Sequence, residues 1–98
     1  MINTYPLSII TPNGKVFDGQ IESLVATGVA GSLGILAGHA PIVVALKNGP
    51  LKLKSGSEER FYAVGTGILE VSRQNCVFVL SDFAVAKSSL EEANQYTP

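Results

Sequence analysis

The chain has 98 residues, 46% of them apolar and 15% charged, with seven basic and eight acidic side chains and a formal net charge of −1. That length holds one domain with one core, and the near-neutral balance excludes a nucleic-acid footprint, which needs clustered Lys and Arg. A single cysteine, Cys76, excludes an internal disulfide, no apolar run reaches the roughly 18 residues of a membrane helix, and no signal peptide is expected, because the opening residues lack a basic start.

The dominant period is two. Residues 7–11 read as a strand, and Asn13-Gly14 reads as a type I′ turn that pairs it with residues 15–17. Gly19 is expected to break the chain, and residues 20–27 to follow as a strand with Ile21, Ser23 and Val25 on one face. Glycines at 28, 31 and 34 rule out a regular helix, since each interior glycine costs about 1 kcal/mol. That segment reads as a turn, a short strand at 32–36, and a second turn at 37–39. Residues 41–46 are continuous and β-branched, which predicts a central strand with Pro41 at its start. Asn48-Gly49-Pro50 is a turn, and Leu51-Lys-Leu-Lys54 alternates strictly, with leucines inward and both lysines on one outer face. Residues 55–57 turn the chain into a return strand at 60–64.

Gly65-Thr-Gly67 is the last glycine break. Residues 68–72 form a strand, 73–75 a turn, 76–80 a buried strand carrying an inert Cys76 thiol, and 83–86 a final strand. About ten short strands joined by glycine turns predict an antiparallel sandwich or barrel. Ser88 and Ser89 stand three residues before Glu91 and Glu92, so two capping-box registers compete for one helix start. A helix of two turns is marginal alone and must dock on the sheet or fray.

Little here resembles a catalytic site. The one histidine and one cysteine lie in separate elements and cannot complete a metal site by themselves. Glu58 and Glu59 point to opposite faces of a strand. The glycine segment lacks the Gly-Lys-Ser/Thr ending of a phosphate loop. No catalytic, cofactor-binding or metal-binding residue is expected. What stands out is Gly28-Val-Ala-Gly-Ser-Leu-Gly-Ile-Leu-Ala-Gly-His-Ala-Pro41, inside a window from residue 23 to 46 with no Asp, Glu, Lys or Arg. Glycines there allow tight turns and close strand approach, and they also build a low, uncharged contact surface. His39 is either a half-exposed ring satisfied by a nearby backbone group or an interface histidine. Either Phe61 or Tyr62 faces outward.

The same residues resemble the epsilon subunit family of the F-type ATP synthase, called delta in mitochondria. Gly31-Ser-Leu-Gly-Ile-Leu-Ala-Gly-His-Ala-Pro41, Phe61-Tyr-Ala-Val-Gly-Thr-Gly-Ile-Leu-Glu-Val71, Lys15-Val-Phe-Asp-Gly19 and Val79-Leu-Ser-Asp82 match that family's motifs in order, followed by the Leu90 to Ala93 helix start. The resemblance implies a mainly β fold, a ten-stranded antiparallel β-sandwich of two five-stranded sheets, over residues 1–87, with a short helical tail at 88–98. It implies a non-catalytic central-stalk subunit without cofactor. One side of its sandwich packs on the gamma subunit, and one end meets the polar loops of the c-ring, so that proton translocation is coupled to ATP synthesis. By position, Gly31, Ser32, Gly38, His39, Ala40 and Pro41 are expected to face the ring. The location implied is peripheral, without direct membrane insertion, on the cytoplasmic face of a bacterial inner membrane or, as the alternative, on the stromal face of a thylakoid membrane.

Three departures from the family are visible. Ala30 and Ser32 stand where many relatives carry glutamate, so docking is expected to rely on apolar fit and hydrogen bonds. Ala37 replaces a proline, which frees φ in that turn. Relatives continue into a helical hairpin that inhibits ATP hydrolysis, whereas only about two helical turns follow residue 87 here, so neither inhibition by that route nor an ATP site is expected. An unrelated β-sandwich binding module is the competing reading, and it predicts no affinity for a stalk subunit.

Overall fold

In the computed structural model, which describes residues 3–97, ten strands and one short helix follow in order. The strands are β1 (Tyr5–Thr11), β2 (Gly14–Ile21), β3 (Ser23–Gly28), β4 (Gly31–Leu36), β5 (Ile42–Leu46), β6 (Gly49–Ser55), β7 (Glu58–Val64), β8 (Gly67–Val71), β9 (Val77–Ser81) and β10 (Ala84–Lys87), and the helix α1 (Leu90–Gln95) closes the chain. The expected tail boundary at 98, like residues 1 and 2, lies outside the described residues.

Hydrogen bonding runs β10-β7-β6-β3-β5-β8-β9-β1-β2, with β4 attached to β3 alone. The link between β3 and β5 is one residue pair, Gly28 with Leu46. The path therefore bends there into two five-stranded layers, β4-β3-β6-β7-β10 and β5-β8-β9-β1-β2. One pairing departs from the antiparallel expectation: β1 runs parallel to β9. The two are distant in sequence, and no tight turn constrains their relative direction.

The core forms where alternate residues of the two layers meet. Leu7, Ile9, Leu69 and Val79 of one layer and Leu24, Ile35, Leu51 and Leu53 of the other are almost fully buried, each stabilising the fold by about 1.5–3 kcal/mol. Leu51 and Leu53 point inward as their alternation predicts, and Lys52 pairs on the outside with Glu59 at 3.1 Å. Across this core the Tyr5 hydroxyl of β1 donates to the Ile35 carbonyl of β4 at 2.8 Å, a polar tie between the layers. Burial pushes Tyr5 ionisation far above the ordinary tyrosine range, although a backbone hydrogen bond at Leu24 acts in the opposite direction. Because the folded-state pKa is raised, this contribution to stability is complete below about pH 10 and is lost as pH rises beyond it. Denaturant titrations at pH 8 and pH 11 are expected to show an alkaline loss that Tyr5→Phe reduces. An identical loss in both proteins would reject the assignment.

Several local expectations are corrected. The first hairpin does not turn on Asn13-Gly14, because Thr11 pairs with Gly14 and the loop is Pro12-Asn13. Proline holds φ near −65° and suits the second position of an ordinary turn, while Gly14 supplies the positive φ of 121° beyond it. The register then slips between Ile9 and Ile10, leaving Val16 without a partner. Gly19 does not break the chain. β2 runs through it to Ile21, and the bend falls at Glu22, so Leu24 and Ala26 turn inward and Val25 outward. The Glu22 carboxylate accepts a hydrogen bond from the Gly56 amide.

β5 is not a buried central strand. It pairs fully with β8 and with β3 at one residue only, and its side chains from Ile42 to Val43 are exposed. Cys76 lies before β9 and is half-buried. At the helix, Ser89 is the cap and accepts the Glu92 amide at 3.1 Å. The Glu92 carboxylate accepts the Ser88 hydroxyl at 2.6 Å rather than completing a reciprocal box with Ser89. This register buries Ala93. Ala63, which points away from the core between Tyr62 and Val64, is only 2% exposed, with α1 lying over β6, β7 and β10. Tyr96 completes the docking, 5.6 Å from the Phe83 ring and 4.5 Å from the Lys87 ammonium.

Candidate functional site

β4 holds the six residues expected at the ring contact apart rather than together. Gly31 and Ser32 begin the strand beside the Val29-Ala30 hairpin tip, and Gly38, His39, Ala40 and Pro41 follow its other end. Five residue steps of extended chain between Gly31 and Leu36 span about 17 Å. The uncharged window is therefore a flank of the sandwich, with a turn at each end. Gly31 and Gly38 hold φ values of 135° and 82° in those turns. The His39 amide donates to the Leu36 carbonyl at 3.2 Å. Its ring Nδ1 lies 2.7 Å from the Ala40 carbonyl. A carbonyl only accepts, so Nδ1 carries the proton and Nε2 is left for another partner. The backbone-satisfied and interface readings of His39 thus coexist in one ring, half-buried on one side.

The flank is also a free sheet edge. Thr27 gives its carbonyl to the Lys47 amide, on the side of β3 away from β4. Thr27 and its partner Ser32 are therefore a non-bonded pair in the antiparallel ladder. By the same alternation Ala26–Leu33 does not share the register of Ser32, Gly34 and Leu36, whose backbone groups aim outward. Edges of this kind are usually guarded by lysine, proline or a bulge. β4 carries no charge, no proline and no register shift, and Leu36 is 66% exposed.

A second surface was not legible in the sequence. On the outer face of the β5-containing layer, the registers line up Ala45, Ile68, Leu80 and Ile10 in one row and Val43, Glu70, Phe78 and Ser8 in the next. Val43 is 64% exposed, Leu80 40% and Ile68 38%. Glu70 is the one charge in these two rows. Beside them, Ile10, Pro12, Thr66, Ile68, Leu80 and Asp82 line an open hollow of about 400 Å³. The available signal was that residues 76–80 and 42–45 are apolar on both alternations, a pattern that equally describes strands buried on both faces. At the β2 edge of this layer, opposite Ser8, Asp18 is held below its ordinary carboxylate value by hydrogen bonds from Lys15 and then Ser8, and by the Lys15 charge. Among the described residues, no three His, Cys, Asp or Glu side chains gather as a metal site would require.

The described residues thus form a ten-stranded sandwich with an apolar outer face and an uncharged flank. The family model for the ATP synthase, Delta/Epsilon chain, beta-sandwich domain matches residues 4–87. The chain belongs to that family. It is 42% identical over 91 residues to the ATP synthase epsilon chain of Chromohalobacter salexigens, covering 92% of this chain and 64% of that protein. In fold it resembles a chain in the Euglena gracilis mitochondrial ATP synthase structure of OSCP, F1 and c-ring, with a TM-score of 0.80, 20% identity, and coverage of 91% of this chain and 58% of the other. A chain in the Tetrahymena thermophila mitochondrial ATP synthase central stalk and c-ring structure gives a TM-score of 0.71 at 22% identity, covering 82% of this chain and 64% of the other. The chain thus spans less than two thirds of the length of these relatives.

Proposed function

We propose that the chain is a non-catalytic central-stalk subunit of an F-type ATP synthase. It links the gamma subunit to the c-ring and so couples proton translocation to ATP synthesis. Residues 1–87 are assigned to the docking domain and 88–98 to a helical tail, whose α1 packs on the β6, β7 and β10 strands. The observation that carries this reading is the apolar outer face of Val43, Ala45, Ile68, Leu80 and Ile10, because a contiguous exposed apolar patch on a small domain marks a surface that a partner covers. Gamma occupies that face, and the β4 flank, with Gly31, Ser32, Gly38, His39, Ala40 and Pro41, meets the polar loops of the ring. Family membership and the bacterial epsilon relative support a peripheral place on the cytoplasmic face of a bacterial inner membrane. No helix among the described residues is long and apolar enough to cross a membrane.

The test is co-purification with the gamma subunit, then retention of the stalk on the ring as ionic strength rises. Gamma is expected to be retained under gentle conditions. Ring retention is expected to weaken less than about twofold between roughly 0.05 and 0.5 M salt, because the flank offers no charge to screen. Failure to retain gamma removes the stalk reading. A steep salt dependence removes the uncharged ring contact while leaving the gamma contact in place.

A further inference from the structure

The geometry points to the backbone edge of β4 as the group that recognises the ring: the outward amides of Ser32, Gly34 and Leu36 donate to, and the outward carbonyls of Ser32 and Gly34 accept from, neutral polar groups of the c-ring loops. This rests on the stalk reading above and adds which atoms make the contact. Three observations carry it. The Thr27 carbonyl is committed to Lys47, which fixes the direction of Ser32, Gly34 and Leu36 toward the open edge. The Leu36 carbonyl is already taken by the His39 amide, so the free set is limited to those five groups. The edge has no guard residue, and the window from 23 to 46 has no charge with which to bind an ionic partner. A partner that meets this flank therefore finds backbone donors and acceptors in a row, with Gly34 leaving the middle of the row open. A Cβ added at Gly34 would meet only the Leu24 carbonyl oxygen, at 3.8 Å. Ionic side chains of the loops find no countercharge to pair with on this flank, whereas amide and hydroxyl side chains satisfy groups that solvent otherwise holds.

Residue-resolved amide exchange tests the assignment in three states of the full chain: free, bound to gamma, and in the assembled enzyme with its ring. The amides of Leu33 and Ile35, bonded into the β3 ladder, serve as internal controls and stay protected throughout. The amides of Ser32, Gly34 and Leu36 are expected to exchange fast in the first two states and at least tenfold more slowly in the third. Ser32→Pro removes one outward donor without touching a ladder bond, which an edge strand tolerates. Gly34→Lys adds a guard charge where there is room. Each is expected to lower ring retention at least fivefold while gamma binding stays unchanged. Protection that appears with gamma alone, or in the free chain as its concentration rises, assigns the edge to another occupant and overturns the inference. Fast exchange at all three amides in a coupled enzyme overturns it with the stalk reading intact. Absence of gamma binding in every state overturns both.

Discussion

Replacing Gly67 by alanine is expected to lower the thermal midpoint of the domain by roughly 20 °C. Gly67 opens β8 between two neighbours, paired with Leu46 of β5 on one side and Ser81 of β9 on the other. A Cβ there would overlap the Leu80 carbonyl oxygen, and it would lie 2.8 Å from the Leu80 carbonyl carbon and 2.9 Å from the Ser81 Cα. These are backbone atoms, and they cannot retreat. Leu80 is held from its far side by Ile10 of β1. The Ser81 hydroxyl donates toward the Gly65 and Phe83 carbonyls at 3.0 and 2.8 Å and accepts the Gly65 amide at 2.9 Å. By contrast, a Cβ at Gly65 would first meet the ring of Phe83, which has rotamers to explore. Relief at Gly67 requires opening the β8–β9 ladder, at a cost of about 4 kcal/mol or more. Against a total stability on the order of 5–15 kcal/mol, this lowers Tm by roughly 20 °C for a domain of this size. Gly34→Ala, whose Cβ makes one ordinary contact with the Leu24 carbonyl oxygen at 3.8 Å, should stay within about 0.5 kcal/mol of the parent. Thermal unfolding of both variants checks the contrast, and a Gly67→Ala midpoint within about 5 °C of the parent would show that β8 and β9 can part cheaply.

The second large effect concerns association rather than folding. Leu80→Asp is expected to lower gamma affinity at least about a hundredfold, close to 2.7 kcal/mol. Leu80 sits in the row with Ile68 and Ile10 and helps line the hollow between Ile10 and Asp82. A carboxylate at that position must be desolvated under a partner and finds only apolar neighbours across the strands. Part of the Leu80 side chain is buried, so Val43→Asp, at a more exposed position in the neighbouring row, provides the variant least able to disturb folding. Circular dichroism and Tm should report a folded domain for Val43→Asp, while titration with the gamma subunit reports weaker binding. Parental affinity in both variants would move the gamma contact to another face.

These two experiments separate what individual segments could declare from what they could not. Leu51-Lys-Leu-Lys54 declared its own orientation, because strict alternation has one way to bury two leucines. Residues 20–27 did not. Two strands meet there at Glu22, and a single bend reverses which alternate side chains point inward, so Val25 emerges where continuity would have buried it. Asn13-Gly14 has the composition of one turn type and the neighbour Pro12 of another, and the rigid φ of proline prevailed. The Ser88 and Ser89 caps were equivalent in sequence and were separated by which register places Ala93 under the sheet. The flank residues were legible as chemistry but not as geometry, since the length of β4 sets Ser32 and His39 at opposite ends.

By itself the sequence determined that the chain makes a mainly β domain with short strands, glycine turns and an uncharged stretch before Pro41. Composition, period and family motifs are local properties that survive without knowledge of partners in space. The tertiary structure alone decided that β1 lies parallel to β9, that the layers join at Gly28 and Leu46, and that Val43, Ile68 and Leu80 form one exposed patch. Strand pairing between distant segments is chosen by the burial of the whole core, and an apolar residue carries no mark of which layer, inner or outer, it will face.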